Sequence, residues 1–327
     1  MRLSNTALTL PNIHSSYTHS PSSVCDRGLL SFRPLTSADI ARVRPFVAAN
    51  IYRTCDYTLG GIFMWVDYFG YEFCILDDTL FIKGISEKYP DRQAFSLPLG
   101  RMPLSESVAL ILDYCAAGGL TPEFSAIPLE CAGRLAELCN GSVEPLDSWG
   151  DYLYSSAQLA YLSGKALSKK RNHVNRFFID NPQASLEMIT AANKAEALDF
   201  LRAVDLSAKA DIQVATYELQ QSVDVVSHIE DYLFDGTVLR DASGGICALT
   251  VGEVVGDTLY VHIEKANHDV AGAGETVNKL FASEMLRRYP GLSYINREED
   301  MGDLGLRFAK ESYRPLAILR KCDIIAS

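Results

Sequence analysis

Apolar positions along the chain step in twos over short runs and recur every three or four residues over longer ones. The first spacing marks strands and the second marks helices. Residues 30–35 read as a short strand, and Thr36 or Ser37 is placed to cap a helix reaching Val47. Strands are expected at 71–76, 80–85 and 95–99, the first pair turning at Asp77 and Asp78. A helix over 104–117 is stopped by Gly118 and Gly119. A strand at 124–127, a helix at 129–138 and a strand at 152–155 follow. The aromatic segment 52–69, with Trp65 inside it, reads as core packing.

The second half opens on a helix beginning near Ser163, followed by a strand at 184–189 and helices at 193–204 and 216–233. Segments 236–240, 246–255 and 259–265 alternate as a three-strand meander, with turns at Gly244, Gly245, Gly256 and Asp257. A helix at 274–288, a strand at 293–296, a short helix at 304–310 and a strand at 316–324 close the chain. Each half thus reads strand, helices, three-strand meander, helix, strand, helix, strand, without a residue-level repeat. The expected fold is α+β (mixed α/β), two domains in tandem, each a mixed sheet flanked by helices. That order resembles the Gcn5-type N-acetyltransferases, and its duplication resembles the Fem-type aminoacyl transferases. The expected divisions are a loosely ordered tail at 1–28, rich in Ser, Thr, Pro and His, a first domain at 29–160 and a second at 161–327.

With 327 residues, 48% hydrophobic and 22% charged, the chain is long enough for two domains with cores that need no metal or disulfide. Its formal net charge of -11 argues against general nucleic-acid binding, though a local basic groove for one end of an RNA stays open. Eight cysteines form no C-x-x-C pair and most sit in apolar runs, as reduced buried thiols do, so neither a disulfide framework nor a metal site is expected. No apolar run approaches the roughly 18 residues of a spanning helix. The N-terminus lacks a signal peptide's apolar core. The expected location is cytoplasmic, with no integral membrane segment.

Against the acidic whole, no Asp or Glu occurs between Asp151 and Asp180, and Lys165, Lys169, Lys170, Arg171, His173 and Arg176 fall in that gap. As a helix, Leu167, Val174 and Phe178 share one side while Lys169, Asn172 and Arg176 share another. Such a face either holds an anion or is a solvated basic surface.

Three further features bear on chemistry. The turn after the third meander strand carries Gly272 and Gly274, where an acetyltransferase cradles the CoA pyrophosphate on backbone amides. Asp269 and Glu275 repel a pyrophosphate there, so CoA is a disfavoured cofactor and a plain strand-to-helix turn is the alternative. Upstream, His262 and Glu264 share one strand face and Ile263 and Lys265 the other. Glu264 is either a base for an attacking amine or hydroxyl, or an ion-pair partner of Lys265 or Arg297. Finally, residues 296–313 form a polar stretch after an apolar strand, where α/β sheets place ligands. Asn296, Arg297, Glu298 and Asp300 line the strand exit, and Arg307, Lys310 and Tyr313 are available to a phosphate or carboxylate; a capped turn with surface charge is the alternative. No Ser-His-Asp set, HExxH, EF-hand or P-loop spacing is present.

Taken together, the stretches at 162–165, 169–177, 262–266, 296–300, 305–310 and 312–315 resemble, in order and spacing, the soluble bacterial proteins related to the C-terminal domain of phosphatidylglycerol lysyltransferase. The resemblance spans about residues 30 to 325 and implies a tandem acetyltransferase-like fold. It also implies transfer of an aminoacyl group from aminoacyl-tRNA to a small-molecule or lipid-headgroup acceptor; the named lysyltransferases carry a large membrane domain besides. On that reading Lys169, Lys170, Arg171 and Arg176 meet acceptor-stem phosphates. Glu264, or else Glu298 or Asp300, deprotonates the acceptor, and Asn296 or the amides near Gly272 and Gly274 meet the oxyanion. A CoA-dependent N-acetyltransferase and a non-catalytic protein for a small anionic ligand are the alternatives.

Overall fold

The structure is a computed structural model that describes residues 30–326, except 87, 90–91 and 207–210. The expected tail at 1–28 lies outside the described residues.

The first half begins with β1 (Arg33–Pro34) and α1 (Ile40–Ala48), then a one-turn helix at Cys55–Tyr57 and α2 (Leu59–Phe63). A meander of β2 (Glu72–Leu76), β3 (Thr79–Ile85) and β4 (Gln93–Phe95) follows, with β5 (Leu99–Gly100) pairing back on β3. Next come α3 (Leu104–Gly118), β6 (Glu123–Pro128), α4 (Leu129–Cys139) and β7 (Ser142–Ser155). In α3 the buried Val108, Ile111 and Cys115 recur at helical spacing, and Gly119 ends the helix at φ 64°, a conformation glycine adopts without strain.

The second half repeats the order. It runs through α5 (Ser156–Tyr161), α6 (Ser168–Asp180), β8 (Ser185–Met188), α7 (Lys194–Arg202), α8 (Ile212–Ser227) and α9 (Ile229–Tyr232). The meander is β9 (Asp235–Arg240), β10 (Ile246–Val255) and β11 (Thr258–Ala266). Then follow α10 (Ala273–Arg288), β12 (Tyr294–Asn296), α11 (Leu304–Glu311) and β13 (Ala317–Ile325). The single helix expected over 216–233 is divided, because His228 leaves helical geometry at ψ 26° between α8 and α9.

All strands join one mixed sheet in the order β1-β2-β3-β4-β6-β13-β7-β12-β11-β10-β9-β8. The C-terminal strand β13 sits between β6 and β7, antiparallel to both. In return, the end of β7 pairs with β12 of the second half. The expected strand at 152–155 is therefore only the end of a 14-residue strand whose earlier residues pair with β13. Each half has one parallel step, β4 with β6 and β11 with β12. Pairing stops at Phe95–Phe124 in the first and at Tyr260–Asn296 in the second, which opens the sheet beyond those points.

The largest core cluster takes residues from both halves, and Phe63 meets the Tyr232 ring at 6.2 Å between centroids. On α6 the packed residues are Leu167, Val174 and Phe177, while Phe178 is 37% exposed. The expected packed stripe is thus off by one residue at its end, since Phe177 and Phe178 lie at i+3 and i+4 from Val174 and it is Phe177 that packs; the helix also begins at Ser168 rather than near Ser163.

Candidate active site

Where β7, β13 and the loop after β12 meet, the sheet buries an ammonium among carboxylates. Lys321 Nζ lies 2.7 Å from Asp151 Oδ1 and 2.7 Å from Asp56 Oδ2, with Glu299 Oε2 at 3.5 Å and Cys55 Sγ at 3.5 Å. Asp151 Oδ2 accepts from the Cys55 backbone N–H at 2.6 Å and from Asn296 Nδ2 at 2.8 Å. Burial disfavours a charged Lys321, but Asp151 and Asp56 outweigh it and hold the ammonium well above the ordinary lysine range. Burial also raises the Asp151 carboxyl to about 6 against the pull of Lys321, and raises Asp56 in the same way. Burial opposes ionisation of Glu299 too, yet Lys321 and Lys310 hold it below the usual range. Ligand atoms of Cys55, Asp56 and Asp151 lie within 4.8 Å of one another, as a metal site would need. The Lys321 ammonium already supplies the cation there, so these residues do not fit a metal.

The second cluster centres on His262, whose side chain is fully buried. Its Nδ1 faces Glu298 Oε1 at 2.7 Å and its Nε2 faces Glu253 Oε1 at 2.9 Å. Burial disfavours the imidazolium, but hydrogen bonds to both carboxylates carry its pKa up to about 10. Glu253 also accepts from the Gly60 N–H at 2.8 Å, tying α2 of the first half to β10 of the second. A Cβ at Gly60 would lie 2.3 Å from the His262 ring, so only glycine permits this approach. Burial raises Glu298 against its partner His262. Glu298 itself sits at φ 57°, a left-handed backbone that turns its carboxylate inward.

The loop is held from below. Asn296 donates to the Arg53 carbonyl at 2.7 Å and accepts from the Glu298 N–H at 2.7 Å, so both ends of its amide are engaged. Lys310 donates to the carbonyls of Glu298 and Glu299, and burial lowers its pKa. Arg307 forks onto Asp300 with two contacts of 2.9 Å, and Tyr152 donates to the same carboxylate at 2.6 Å. Glu264 binds Arg297 Nη2 at 2.7 Å and Asn278 Nδ2 at 3.0 Å, the ion-pair alternative rather than the pairing with Lys265. Lys265 instead holds Glu218 at 2.7 Å.

The basic helix and the acidic loop do meet. Lys170 Nζ lies 4.3 Å above the Tyr313 ring, and the Arg297 guanidinium lies 4.9 Å from the same ring. Lys170 also pairs with Glu275 at 3.3 Å, and Arg171 donates to the carbonyls of Leu162 and Gly164. Lys169, Asn172 and Arg176 are exposed on the outer face, Arg176 pairing with Asp180 at 2.7 Å. Gly272, at φ 81°, brings α10 against α6: a Cβ there would meet the His173 carbonyl oxygen at 2.7 Å. Gly274 faces Ala266. Helix packing occupies the turn where a pyrophosphate would sit.

A cleft of about 90 Å³ opens beside the parallel step of the first half. Ser96, Leu97, Ser125 and Ala126 line it where β4 and β6 part, and Trp65, Tyr68, Phe69 and Tyr71 form an aromatic wall. Cys55, Asp56, Lys83, Glu298, Glu299 and Met301 also line it. Part of the aromatic segment 52–69 thus walls a cleft instead of filling a core. Of the expected site residues only Glu298 lines this cleft; Glu264, Arg297 and Tyr313 sit one step away, around the parallel step of the second half. Asp56, Asp151, Glu253, Glu299 and Lys321 were not singled out in the sequence. The signal was faint: Asp151 is a single charge in an apolar strand segment, and Lys321 is one of three charges in the run from Arg320 to Asp323.

The fold and site define a protein of two acetyltransferase-like halves sharing one sheet, with an acidic cleft between them. The chain belongs to the family described as phosphatidylglycerol lysyltransferase, C-terminal, whose model matches residues 50–321. It is similar to a crystal structure of a conserved protein of unknown function from Bacteroides thetaiotaomicron, 26% identical, at a TM-score of 0.81, covering 91% of this chain and all of that one. The fold is shared with L-PGS from Bacillus licheniformis, 15% identical, at a TM-score of 0.62 over 92% of this chain and 94% of that one. It is also shared with FemX, 9% identical, at a TM-score of 0.56 over 90% of this chain and 97% of that one. Among curated proteins, an uncharacterized protein from Mycoplasmoides gallisepticum is 24% identical over 178 residues, 54% of this chain. That match spans just over half of the relative's length, 56%. Among the described residues no helix is long and apolar enough to cross a membrane.

Proposed function

We propose that this protein transfers an aminoacyl group from aminoacyl-tRNA to a hydroxyl or amine acceptor, with the cleft receiving the aminoacyl end. The observation that carries this is the surplus of carboxyl groups at the cleft's inner end. Asp56, Glu298 and Glu299 line the cleft and Asp151 and Glu253 lie behind them. Among the described residues these five meet Lys321, Lys310 and His262, while Lys83, also on the lining, is held by Glu72 at 2.7 Å. A buried acidic surplus beside an aromatic wall suits a ligand that brings an ammonium on an organic body. The α-ammonium of an aminoacyl ester is such a group. CoA brings phosphates instead, and Gly272 lies packed beneath α6.

In this reading Glu299, on the cleft lining and only 3.5 Å from Lys321, meets the donor's ammonium, and Glu298 is the base. Burial and its place on the cleft wall suit Glu298 to take a proton from the acceptor. The acceptor oxygen or nitrogen then attacks the ester carbonyl. The bond to the tRNA ribose oxygen breaks, and that oxygen leaves with the proton. Phosphates of the acceptor stem lie along Lys165, Lys169 and Arg176 on the outer face of α6.

The test supplies bulk tRNA charged with labelled amino acids, together with hydroxyl and amine acceptors including lipid headgroups. Label should leave the tRNA for an acceptor faster than spontaneous hydrolysis. Deacylation at the spontaneous rate with every charged tRNA, alongside saturable CoA binding, would overturn the reading.

A further inference from the structure

The helix α11 is built inside out. In the sequence Leu304-Gly-Leu-Arg-Phe-Ala-Lys-Glu311, its one buried residue is Lys310, while Leu304 is 74% and Phe308 75% exposed. The cause lies in the loop beneath. Carbonyls of Glu298 and Glu299 and the Asp300 carboxylate demand cations, so Lys310 and Arg307 point inward. Helical spacing then turns Phe308, and to a lesser degree Leu304, away from that inward side, and both are left exposed.

This face does not stand alone. Met301, Leu316 and Ile318 are exposed large apolar side chains in the same 18-residue stretch. They are joined across β7, where Gly302 approaches Ser148 and Ile318 packs over Gly150. Leu316, Ile318 and Arg320 share one face of the strand, and Arg314 follows the helix. Arg314 and Arg320 are exposed and form no ion pair among the described residues; Glu311 is the exposed carboxylate on the helix. Apolar side chains gathered on this segment beside arginines with no ion pair among the described residues, in a chain of net charge -11, are a local exception that suits a partner with an apolar interior and an anionic surface.

We infer that α11 and the start of β13 form a docking face for an anionic lipid bilayer. Leu304 and Phe308 enter the headgroup boundary while Arg314 and Arg320 meet lipid phosphates. Met301 belongs to both the patch and the cleft wall, so docking sets the cleft mouth at the membrane surface. Only that placing of the cleft mouth bears on the proposed function; binding itself needs no donor.

The experiment is cosedimentation of the full chain with phosphatidylcholine vesicles, alone or containing phosphatidylserine or phosphatidylglycerol, at low and raised salt. Binding to both anionic mixtures and not to phosphatidylcholine alone is expected. It should fall by about tenfold or more in Leu304→Ser/Phe308→Ser, two substitutions at exposed positions. It should weaken in Arg314→Glu/Arg320→Glu and stay unchanged in Ile51→Ser, an exposed apolar site outside the patch. No binding at low salt, or binding indifferent to Phe308, would overturn the assignment. Binding to phosphatidylglycerol vesicles alone would place recognition in the cleft rather than on this face. A dimer by light scattering that Phe308→Ser dissolves would make a second copy the occupant. Because vesicle binding is read without aminoacyl-tRNA, a failed transfer assay leaves this result untouched.

Discussion

Lys321 and Asp151 form an ion pair of 2.7 Å in which neither side chain has any exposure to solvent. It joins β13, the last strand of the chain, to β7, the strand at which the two halves of the sheet meet. The same ammonium reaches Asp56 at 2.7 Å on the one-turn helix of the first half. The charge therefore anchors three segments far apart in sequence.

Removing that cation leaves buried carboxylates without a partner, which is costlier than never having placed the pair. Lys321→Met is expected to lose about 3–5 kcal/mol of stability in urea unfolding. Adding Asp151→Asn should restore part of it, because a neutral amide does not need the ammonium. A Lys321→Met protein as stable as the parent would refute this account.

His262 adds a pH dependence whose sign follows from its imidazolium. Its folded pKa, about 10, stands above the ordinary histidine value, so its contribution is complete below about 6.5 and is lost as pH rises towards 10. Stability should therefore fall between pH 6.5 and 10 with a slope of up to ~1.4 kcal/mol per pH unit from this group. Denaturant titrations across that window should show the decline in the parent and a flatter one in His262→Gln. Parallel curves for the two proteins would mean that His262 is neutral.

Much of this architecture is legible in the amino-acid order. The meander at 235–266 and the helix at 273–288 follow from alternation, glycine turns and apolar spacing, all local signals. The loop after Asn296 declares itself by its run of charge. The Lys321 cluster does not, because its members are paired by the exchange of β7 and β13 between halves, a long-range event with no local trace. A lone lysine in the run Leu319-Arg-Lys-Cys-Asp323 looks like an edge-strand charge until β6 and β7 close on either side of it. The packed stripe of α6 ends on Phe177 rather than Phe178 for a humbler reason: the two lie at i+3 and i+4 from Val174, on either side of its direction, and apolar spacing alone does not choose between two phenylalanines.

Glu264 and Glu298 were both candidates for the base, and their surroundings separate them. Both oxygens of Glu264 are taken, one by Arg297 and one by Asn278, and it does not line the cleft. Glu298 lines the cleft and, among the described residues, has only His262 on its carboxylate. In a transfer assay Glu298→Gln should lower kcat by ~10²–10⁴, the range general bases supply, while Glu264→Gln loses under about tenfold. The reverse order of losses would move the base to the second half's parallel step.

The last prediction concerns the donor and reads charge rather than chemistry. On α6, Lys169 and Arg176 are exposed, Arg176 paired with the exposed Asp180 at 2.7 Å, whereas Lys170 is spent on Glu275 and Tyr313 and Arg171 on two backbone carbonyls. Phosphate contacts release counterions, so each one steepens the fall of affinity with salt by about 0.7–0.9 in a log–log plot. Binding of charged tRNA measured across a salt series should lose about 1.5 from its slope in Lys169→Ala/Arg176→Ala. Lys265→Ala should leave the slope alone, because that ammonium is largely buried and held by both oxygens of Glu218, at 2.7 and 2.9 Å. Lys170→Ala should behave differently from both. It frees Glu275 and uncovers Tyr313, so affinity should drop at every salt concentration with little change in slope. An unchanged slope in the Lys169/Arg176 variant would place the acceptor stem on another surface, even if transfer activity is present.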